Sequence, residues 1–250
     1  MAFSLDNLIK NVWSDFQNVK VDPCIVKNSI PIIWFGDMNA YLGNGNRRIV
    51  TIGLNPSKRE FQDSNLSLSK CVRFPNASYL VNNISLNSLE IPDYIAAMNE
   101  YFVLKPYTTW FNHYERILNQ LDSSYFNKIG YHHAIHIDAC SPVATDPAWG
   151  GLCSSQKNRL MSDWDKFFSD FFNFLKPQII LISANQDIVN KIFTSVSWIN
   201  HTNSTTYLKS SKKGNQIIIW GYNNRGIPFG MKKGISINYE ITKLKQKYKL

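Results

Sequence analysis

A short apolar run ends abruptly in a polar turn at residues 47–57, RRIVTIGLNPS. Residues 49–52 are mostly β-branched, which is typical of a strand buried within a parallel sheet. Asn55-Pro56 then forces a turn, because the residue before a proline is driven out of the helical region. Since open α/β sheets bind ligands at the carboxyl edge of their strands, the stretch predicts a buried strand leading into a binding loop. An ordinary strand followed by a turn is the simpler alternative.

Other apolar runs predict the rest of a sheet. Runs at 131–138, 179–182 and 216–220 also end in polar loops, and a further short run occupies 32–35. Helical periodicity lies between them. The predicted helices are residues 4–19, 92–104, 107–121, 156–175 and a short one ending at 193. This alternation favours a single α/β domain with a mostly parallel four-stranded central sheet, flanked by helices on both faces.

The predicted domain spans residues 1–250, with a core at about 47–230. A helix at 4–19 precedes this core, and a basic helix or tail at 239–250 follows it. Ser154 or Ser155 is expected to cap the helix at 156–175. Residues 58–91 are polar and show no sustained period, and so long a loop inside a domain is usually functional or mobile.

Charge and cysteine usage narrow the class of protein. The formal net charge is +9, which suits a polyanionic partner such as DNA but indicates no particular fold. The cysteines form no C-x-x-C pair, so we expect free thiols in a reducing cytosol and no metal centre. They are Cys24, Cys71, Cys140 and Cys153. With no signal-peptide pattern and no apolar run of membrane-spanning length, we expect a cytoplasmic protein without membrane contact.

Polar groups able to do chemistry follow three of the predicted strands. They are Asn55, Asp138 and the triplet Asn223-Asn224-Arg225. The carboxyl ends of parallel strands share one edge of a sheet, so these residues are expected to converge on one cleft. The chain contains no G-x-x-x-x-G-K-[ST], and Gly53 begins no G-x-G-x-x-G. It also lacks G-x-S-x-G. These absences argue against phosphate-loop enzymes and serine hydrolases of those types.

Residues 51–57 resemble the first motif of the uracil-DNA glycosylase superfamily, a strand running into G-[hydrophobic]-N-P-[G/S]. Arg73-Phe74-Pro75 lies where that superfamily places an aromatic that stacks on the extruded base. His136-Ile137-Asp138-Ala139 lies on the strand whose terminal residue, commonly Asn, reads the base edge. Residues 223–228 take the place of the second motif, usually His-Pro-Ser or Asn-Pro-Ser, which enters the minor groove. The likeness covers about 47–230 in outline.

The resemblance implies a monofunctional DNA glycosylase, which flips a base out of DNA, hydrolyses its N-glycosidic bond and leaves an abasic site. Asn55 would orient the attacking water, Asp138 would read the base and Phe74 would stack on it. The other predicted substrate-binding residues are Gly53, Leu54, Pro56, Ser57, Asn185 and Asn223. The predicted DNA contacts are Lys58, Arg59, Asn224, Arg225, Lys232 and Lys233. The expected partner is DNA, either double- or single-stranded. No cofactor, metal or obligatory protein partner is expected.

Each of these assignments has a purely structural alternative. Asn55 is also a good turn residue, Asp138 a good loop cap, Phe74 a good core aromatic and Arg225 an ordinary surface cation. His132, His133 and His136 raise the possibility of a metal site. His133 and His136 are three apart on a predicted strand and point to opposite faces, so packing or solvent exposure is the better interpretation.

Asp138 stands where the superfamily commonly has Asn, and this difference affects which base the site would accept. A carboxylate only accepts hydrogen bonds and suits the exocyclic amine of cytosine, whereas Asn both donates and accepts. We therefore expect a modified cytosine rather than uracil. Some members of the superfamily remove bulky modified cytosines, such as glucosylated hydroxymethylcytosine, from phage DNA in antiviral defence. Three alternatives remain open. The protein could be a glycosylase that repairs uracil or deaminated bases, a non-catalytic DNA-binding module, or an enzyme that acts on small nucleotides.

Overall fold

The computed structural model describes residues 3–45, 47–62, 73–201, 208–221, 227–230 and 237–250. In chain order its helices and strands are α1 Leu5–Val19, α2 Met38–Gly43, β1 Ile49–Gly53, α3 Glu90–Asn99, α4 Tyr101–Leu104, α5 Thr108–Gln120, β2 Ser123–Ser124, β3 His132–Asp138, α6 Ser154–Leu175, β4 Ile179–Ile182, α7 Gln186–Ile192, β5 Ile199–Asn200, β6 Leu208–Lys213, β7 Gln216–Gly221 and α8 Ile237–Tyr248. Short 3-10 helices lie at Lys58–Glu60, Pro75–Asn82 and Trp149–Gly151.

The strands within the described residues form one seven-stranded sheet in the order β2-β3-β1-β4-β7-β6-β5. β1 pairs in parallel with β4, and β4 in parallel with β7. β2 and β3 are also parallel, whereas β5, β6 and β7 pair antiparallel. The α/β class and the mostly parallel sheet are confirmed. The prediction of four strands is wrong, because β2, β5 and β6 add to the predicted set.

The missed strands lack an apolar pattern. β6 has the sequence LKSSKK, and it is held in the sheet by pairing with β7 across the turn at Gly214, whose φ is +60°. β5 contributes only two residues, and both are exposed. β6 forms on the edge of β7, and β5 on the edge of β6, rather than through an apolar pattern of their own, so periodicity does not reveal them.

The chain divides into two compact units. The first contains Met1–Asp37, Leu54–Tyr107 and Ile137–Lys176, and it includes α1, α3, α4 and α6. The second contains Met38–Gly53, Thr108–His136 and Pro177–Leu250, and it includes most of the sheet with α2, α5, α7 and α8. The single domain and the placing of helices on both faces of the sheet stay predictions.

The helices of the first unit begin where local chemistry favours them. Ser4 caps α1, its side chain accepting a hydrogen bond from the Asn7 backbone N–H. α6 ends at Leu175, the predicted last residue, but its N-cap is Cys153 rather than Ser154 or Ser155. The side chain of Gln156 accepts from the Cys153 N–H at 3.0 Å and completes a capping box.

Residues 32–35 are not a strand, although every one of them is buried. The Ile32 N–H donates to the carbonyl of Pro142 at 2.7 Å, and the Ile33 N–H donates to the hydroxyl of Tyr94 at 3.3 Å. Their backbone groups therefore pair with separate partners instead of one neighbouring strand. No helix in the described part of the chain is long and apolar enough to cross a membrane.

Candidate functional site

The Asn55 side chain is held by two hydrogen bonds within the first unit. Its Nδ2 donates to the carbonyl oxygen of Val143 at 3.2 Å and to Oγ1 of Thr145 at 2.9 Å. A carbonyl oxygen can only accept, so this network fixes which end of the amide is nitrogen. Among the described residues no hydrogen bond engages Oδ1, which leaves this oxygen in a defined direction and able to accept from a ligand.

The loop bearing Asn55 lies beside the loop that follows β3. The Cys140 N–H donates to the carbonyl of Leu54 at 2.8 Å, and Ser57 forms a parallel bridge with Thr145. Two strand-end loops, 54–60 and 139–147, are thus joined along their length. The adjacency of these two loops is what a parallel sheet favours, whereas the predicted cleft, which also includes residues 223–225 outside the described part of the chain, stays a prediction.

The second of these loops is also held from its other side. Val26 N–H donates to the carbonyl of Ala144 at 3.0 Å, and Asp146 N–H donates to that of Cys24 at 2.9 Å. Backbone bonds on both sides give Val143 and Thr145 little freedom to move. The two acceptors that orient Asn55 therefore belong to a well-supported segment.

Asp138 is the last residue of β3 and is 4% exposed. Its backbone carbonyl accepts a hydrogen bond from the indole N–H of Trp164 in α6 at 2.8 Å, which anchors the strand end. Asn55 and Asp138 thus lie at the beginnings of two loops that hydrogen-bond to each other. The paired loops therefore carry two hydrogen-bond acceptors, a buried carboxylate and an oriented amide oxygen.

Glu60 is a further buried carboxyl at the end of the Asn55 loop, 3% exposed. Its Oε2 accepts a hydrogen bond from the Tyr101 hydroxyl at 2.6 Å, and Nε of Arg73 lies 3.8 Å from the same oxygen. Burial raises the pKa of Glu60 to about 8, and the nearby Asp138 adds to the rise. Tyr101 and Arg73 act in the opposite direction and do not offset it.

Glu60 is a buried carboxyl beside the Asn55 loop that sequence reasoning missed. It lies in a polar stretch whose pattern predicts a loop, and its partner Tyr101 is 41 residues away. A glutamate directly before an aromatic residue in a loop is a weak signal of burial. Only the tertiary structure shows that this carboxyl is removed from water.

Phe74 is 1% exposed and lies within a cluster of aromatic rings. Its ring is stacked on Phe61 at 5.9 Å between centroids and tilted against Tyr101 at 5.3 Å. This arrangement corresponds to the core alternative, and a covered ring offers no face to an extruded base. Stacking of a base on Phe74 therefore has no support from the geometry.

The residues after Asn55 have mixed surroundings. Pro56 is buried, while the Ser57 hydroxyl accepts from the Arg59 backbone N–H at 3.1 Å and caps a short 3-10 helix. Lys58 donates to both carboxylate oxygens of Asp146 at 3.0 Å, so a phosphate would compete with this ion pair. Arg59 is exposed. The substrate-binding and DNA-binding roles of these residues stay predictions.

The other predicted site residues belong to the second unit or lie outside the described residues. Gly53 ends β1, and Asn185 caps α7 by accepting from the Ile188 N–H at 3.0 Å. This capping role accounts for Asn185 without a substrate. The five remaining predicted contacts fall outside the described residues and stay predictions. They are Asn223, Asn224, Arg225, Lys232 and Lys233.

His136 is packed inside the second unit and is 1% exposed. Its Nδ1 lies 2.7 Å from Oγ1 of Thr51, and the rings of Trp110 and Phe111 stand edge-on to the imidazole. The packing interpretation fits this environment. In the part of the chain that the structure describes, no group of three His, Cys, Asp or Glu side chains is arranged to hold a metal ion.

The chain was compared with three sets of known proteins. Neither protein-family models, nor curated proteins, nor solved structures yielded a match to the chain.

Proposed function

We propose that the chain is a monofunctional DNA glycosylase that hydrolyses the N-glycosidic bond of a base flipped out of DNA. The observation that carries the proposal is the orientation of Asn55, whose amide nitrogen is held by Val143 and Thr145 while Oδ1 is directed away from them. The resemblance of residues 51–57 to the first motif of the uracil-DNA glycosylase superfamily supports the same assignment.

The proposed reaction makes particular demands on the site. As the bond between the sugar C1′ and the base nitrogen breaks, positive charge develops on the sugar and negative charge on the departing base. Water then forms the new bond to C1′ and loses a proton to solvent, while the base takes up a proton on leaving. An amide cannot remove the proton, so Asn55 acts by accepting a hydrogen bond from the water and orienting its oxygen.

Asp138 supports a preference for cytosine-type bases. Its carboxylate accepts hydrogen bonds and therefore matches the exocyclic amine of cytosine, which uracil lacks. We propose a modified cytosine as the substrate, and defence against phage DNA as the biological setting that the resemblance implies. The net charge of +9 suits binding to the phosphate backbone.

The direct test is incubation of the purified protein with duplex and single-stranded DNA carrying uracil, cytosine, hydroxymethylcytosine or its glucosylated form. Released base is identified by mass spectrometry, and abasic sites by strand cleavage in alkali. We expect free base from at least one modified cytosine, and loss of release by about a hundredfold or more in Asn55→Ala.

Asn173→Ala is the matched control. Asn173 is exposed on α6, where alanine is the better helix former, so the control should retain wild-type activity. Salt-sensitive DNA binding without release of any base would instead favour a non-catalytic DNA-binding module. Release of uracil alone would keep the glycosylase but overturn the role of Asp138. Equal activity of Asn55→Ala and wild type would overturn the proposed mechanism.

A further inference from the structure

We propose that a groove between α1 and α6 binds a small organic ammonium ion, with the apolar body of the ligand between the helices and its charge against Asp15. The groove belongs entirely to the first unit, and its third side is the segment 141–143 of the loop that follows β3. The inference goes beyond the proposed function, because it concerns a second ligand and requires no chemistry from Asn55 or Asp138.

The two helices, which pack against each other, supply the apolar walls of the groove. Each contributes three side chains at a spacing of four and then three residues, which places them on one face of the helix. Five of the six are buried and the last is half-buried. They are Val12, Phe16, Val19, Leu160, Trp164 and Phe167. The groove measures about 300 Å³ with its open mouth included. Ligand pockets measure roughly 300–1,000 Å³, so this groove suits a small molecule.

An aspartate interrupts the apolar face of each helix at the groove. Asp15 directly precedes Phe16 in α1, and Asp163 directly precedes Trp164 in α6, and both aspartates line the groove. Both are half-buried. Two carboxylates at one helix contact repel each other, and the repulsion grows as water is excluded. Packing of α1 on α6 therefore gains nothing from this pair of charges.

The charge of Asp15 is poorly compensated. Its carboxylate has no hydrogen bond or ion pair with any residue in the described part of the chain, whereas Asp163 lies 3.3 Å from the ammonium of Lys166. Burial and, next, the charge of Asp163 raise the pKa of Asp15, and Lys166 acts in the opposite direction without offsetting the rise. A carboxylate without a partner beside an apolar groove is complementary to a cation that carries an apolar body.

The local surroundings, rather than the whole chain, select the charge of the ligand. The net charge of +9 repels cations in general, so a cation is attracted only where negative charge is concentrated. An anion in this groove would face two carboxylates, and a neutral molecule would leave Asp15 without a partner. The aromatic side chains of Phe16, Trp164 and Phe167 also suit an ammonium on an apolar body.

The third side of the groove is held in place by hydrogen bonds of its own. The Val143 N–H donates to the Ser141 hydroxyl at 3.1 Å, and the carbonyl of Pro142 accepts from the Ile32 N–H at 2.7 Å. The carbonyl of Val143 is also the acceptor that holds Nδ2 of Asn55 at 3.2 Å. The groove is therefore preformed, so binding has little ordering cost, and it shares one loop with the candidate site.

An NMR titration of methyl-labelled protein with phenethylamine tests the inference without DNA. We expect saturable shifts of the methyl signals of Val12, Val19 and Leu160, with a dissociation constant in the millimolar range for so small a probe. 2-Phenylethanol has the same apolar body without the charge and should bind about fivefold more weakly, because it forms no ion pair. Phenylacetate carries the opposite charge and should bind more weakly still.

Substitution of the aspartates separates their contributions. Asp15→Asn should weaken phenethylamine binding by about fivefold, and Asp163→Asn by less, because Lys166 already compensates Asp163. Asp15→Asn should leave the affinity for 2-phenylethanol unchanged. Asp165→Asn is the matched control, since Asp165 is exposed and lies two residues beyond Asp163, on the opposite side of α6. It removes the same charge and should retain wild-type affinity.

Three results would overturn the inference: no saturable methyl shifts with phenethylamine, equal affinity of the wild type for phenethylamine and 2-phenylethanol, or equal losses of affinity in Asp15→Asn and Asp165→Asn. The comparison of probes on the wild type depends on no substitution. None of these outcomes depends on whether the protein releases a base, so failure of this inference is distinguishable from failure of the proposed function.

Discussion

The surroundings of Glu60, in the first unit, contrast with those of Glu115, in the second. Both carboxyls are buried, at 3% and 7% exposure. Glu115 accepts from the Ser124 hydroxyl at 2.6 Å, from the Tyr125 N–H at 3.1 Å and from the ammonium of Lys128 at 2.9 Å. Glu60 has one tyrosine hydroxyl, a cation at 3.8 Å and a neighbouring anion.

The difference separates a structural carboxylate from one suited to chemistry. The partners of Glu115 satisfy both of its oxygens and its charge, and they connect α5 to β2 and the loop that follows it. The partners of Glu60 leave its charge poorly compensated, and poorly compensated groups concentrate at functional sites. Burial alone therefore does not mark a site. The mismatch between a buried group and its partners does.

The largest expected effect is on how stability depends on pH at Glu60. Its pKa is about 8 in the folded chain against an ordinary 4.5, so the folded state binds more protons than the unfolded state between these values. Stability is therefore lost as the pH rises through this window, and Glu60→Gln should avoid the loss. The advantage of Glu60→Gln over wild type should grow by several kcal/mol at most, on the order of 1.4 kcal/mol per pKa unit.

Urea denaturation at about pH 5, 7 and 9 measures this difference. Glu100→Gln should differ from wild type by a constant amount over the same range. An advantage of Glu60→Gln that does not change with pH would remove the contrast between the two buried glutamates.

Removal of Glu115 should give the next largest effect. Glu115→Ala leaves the Ser124 hydroxyl and the Tyr125 N–H without their acceptor, and we expect a loss of about 3 kcal/mol in the free energy of unfolding. Glu115→Gln retains an acceptor oxygen and should lose less. Chemical denaturation at neutral pH gives both values. If Glu115→Ala left the free energy of unfolding nearly unchanged, the hydrogen bonds of Glu115 would not be a structural link between α5 and β2.

Thr145→Val tests the support of Asn55 within the first unit. The substitution conserves shape at a residue that is 1% exposed but leaves one Asn55 amide hydrogen unpaired, a loss of about 1–2 kcal/mol. Base release should fall by about tenfold or more, because the amide is no longer held in one orientation. Thr145→Ser retains the hydroxyl and should behave like wild type in both assays. Full activity of Thr145→Val would show that this hydrogen bond does not position Asn55.

The ion pair between Lys58 and Asp146 should contribute least. Both side chains are exposed, at 37% and 48%, so Lys58→Ala should change the free energy of unfolding by less than about 1 kcal/mol, and less still at high salt. Double-mutant analysis with Asp146→Ala isolates the pair. A large coupling free energy that does not change with salt would show that this pair contributes to stability as the buried contacts of Glu115 do.

Much of the fold could be predicted because its central strands carry their own signal. Ile179–Ile182 is a continuous β-branched and leucine run between Pro177 and a polar loop, and the structure gives it the predicted bounds. By contrast, Leu208–Lys213 is half lysine and owes its place to the edge of a neighbouring strand. The prediction of a strand at residues 32–35 is wrong, because buried loop residues and buried strand residues have the same apolar composition.

The site was predictable only to the extent that topology determines it. Asn55 lies just after β1 and Asp138 ends β3, and the loops that follow these two strands do pair. Glu60 gave no such signal, because the residue that hydrogen-bonds to its carboxyl, Tyr101, lies 41 residues away in sequence. Phe74 carried the expected residue type but lies in an aromatic cluster, a distinction that one sequence cannot make.

The choice of base tests the account most directly. Single-turnover base release should be compared for wild type and Asp138→Asn on duplexes that carry either a modified cytosine or uracil. We predict that wild type releases the modified cytosine, and that Asp138→Asn shifts the ratio of the two rates toward uracil by about tenfold or more, since Asn supplies the donor that uracil requires. Wild-type release of uracil alone, or an unchanged ratio in Asp138→Asn, would contradict the account.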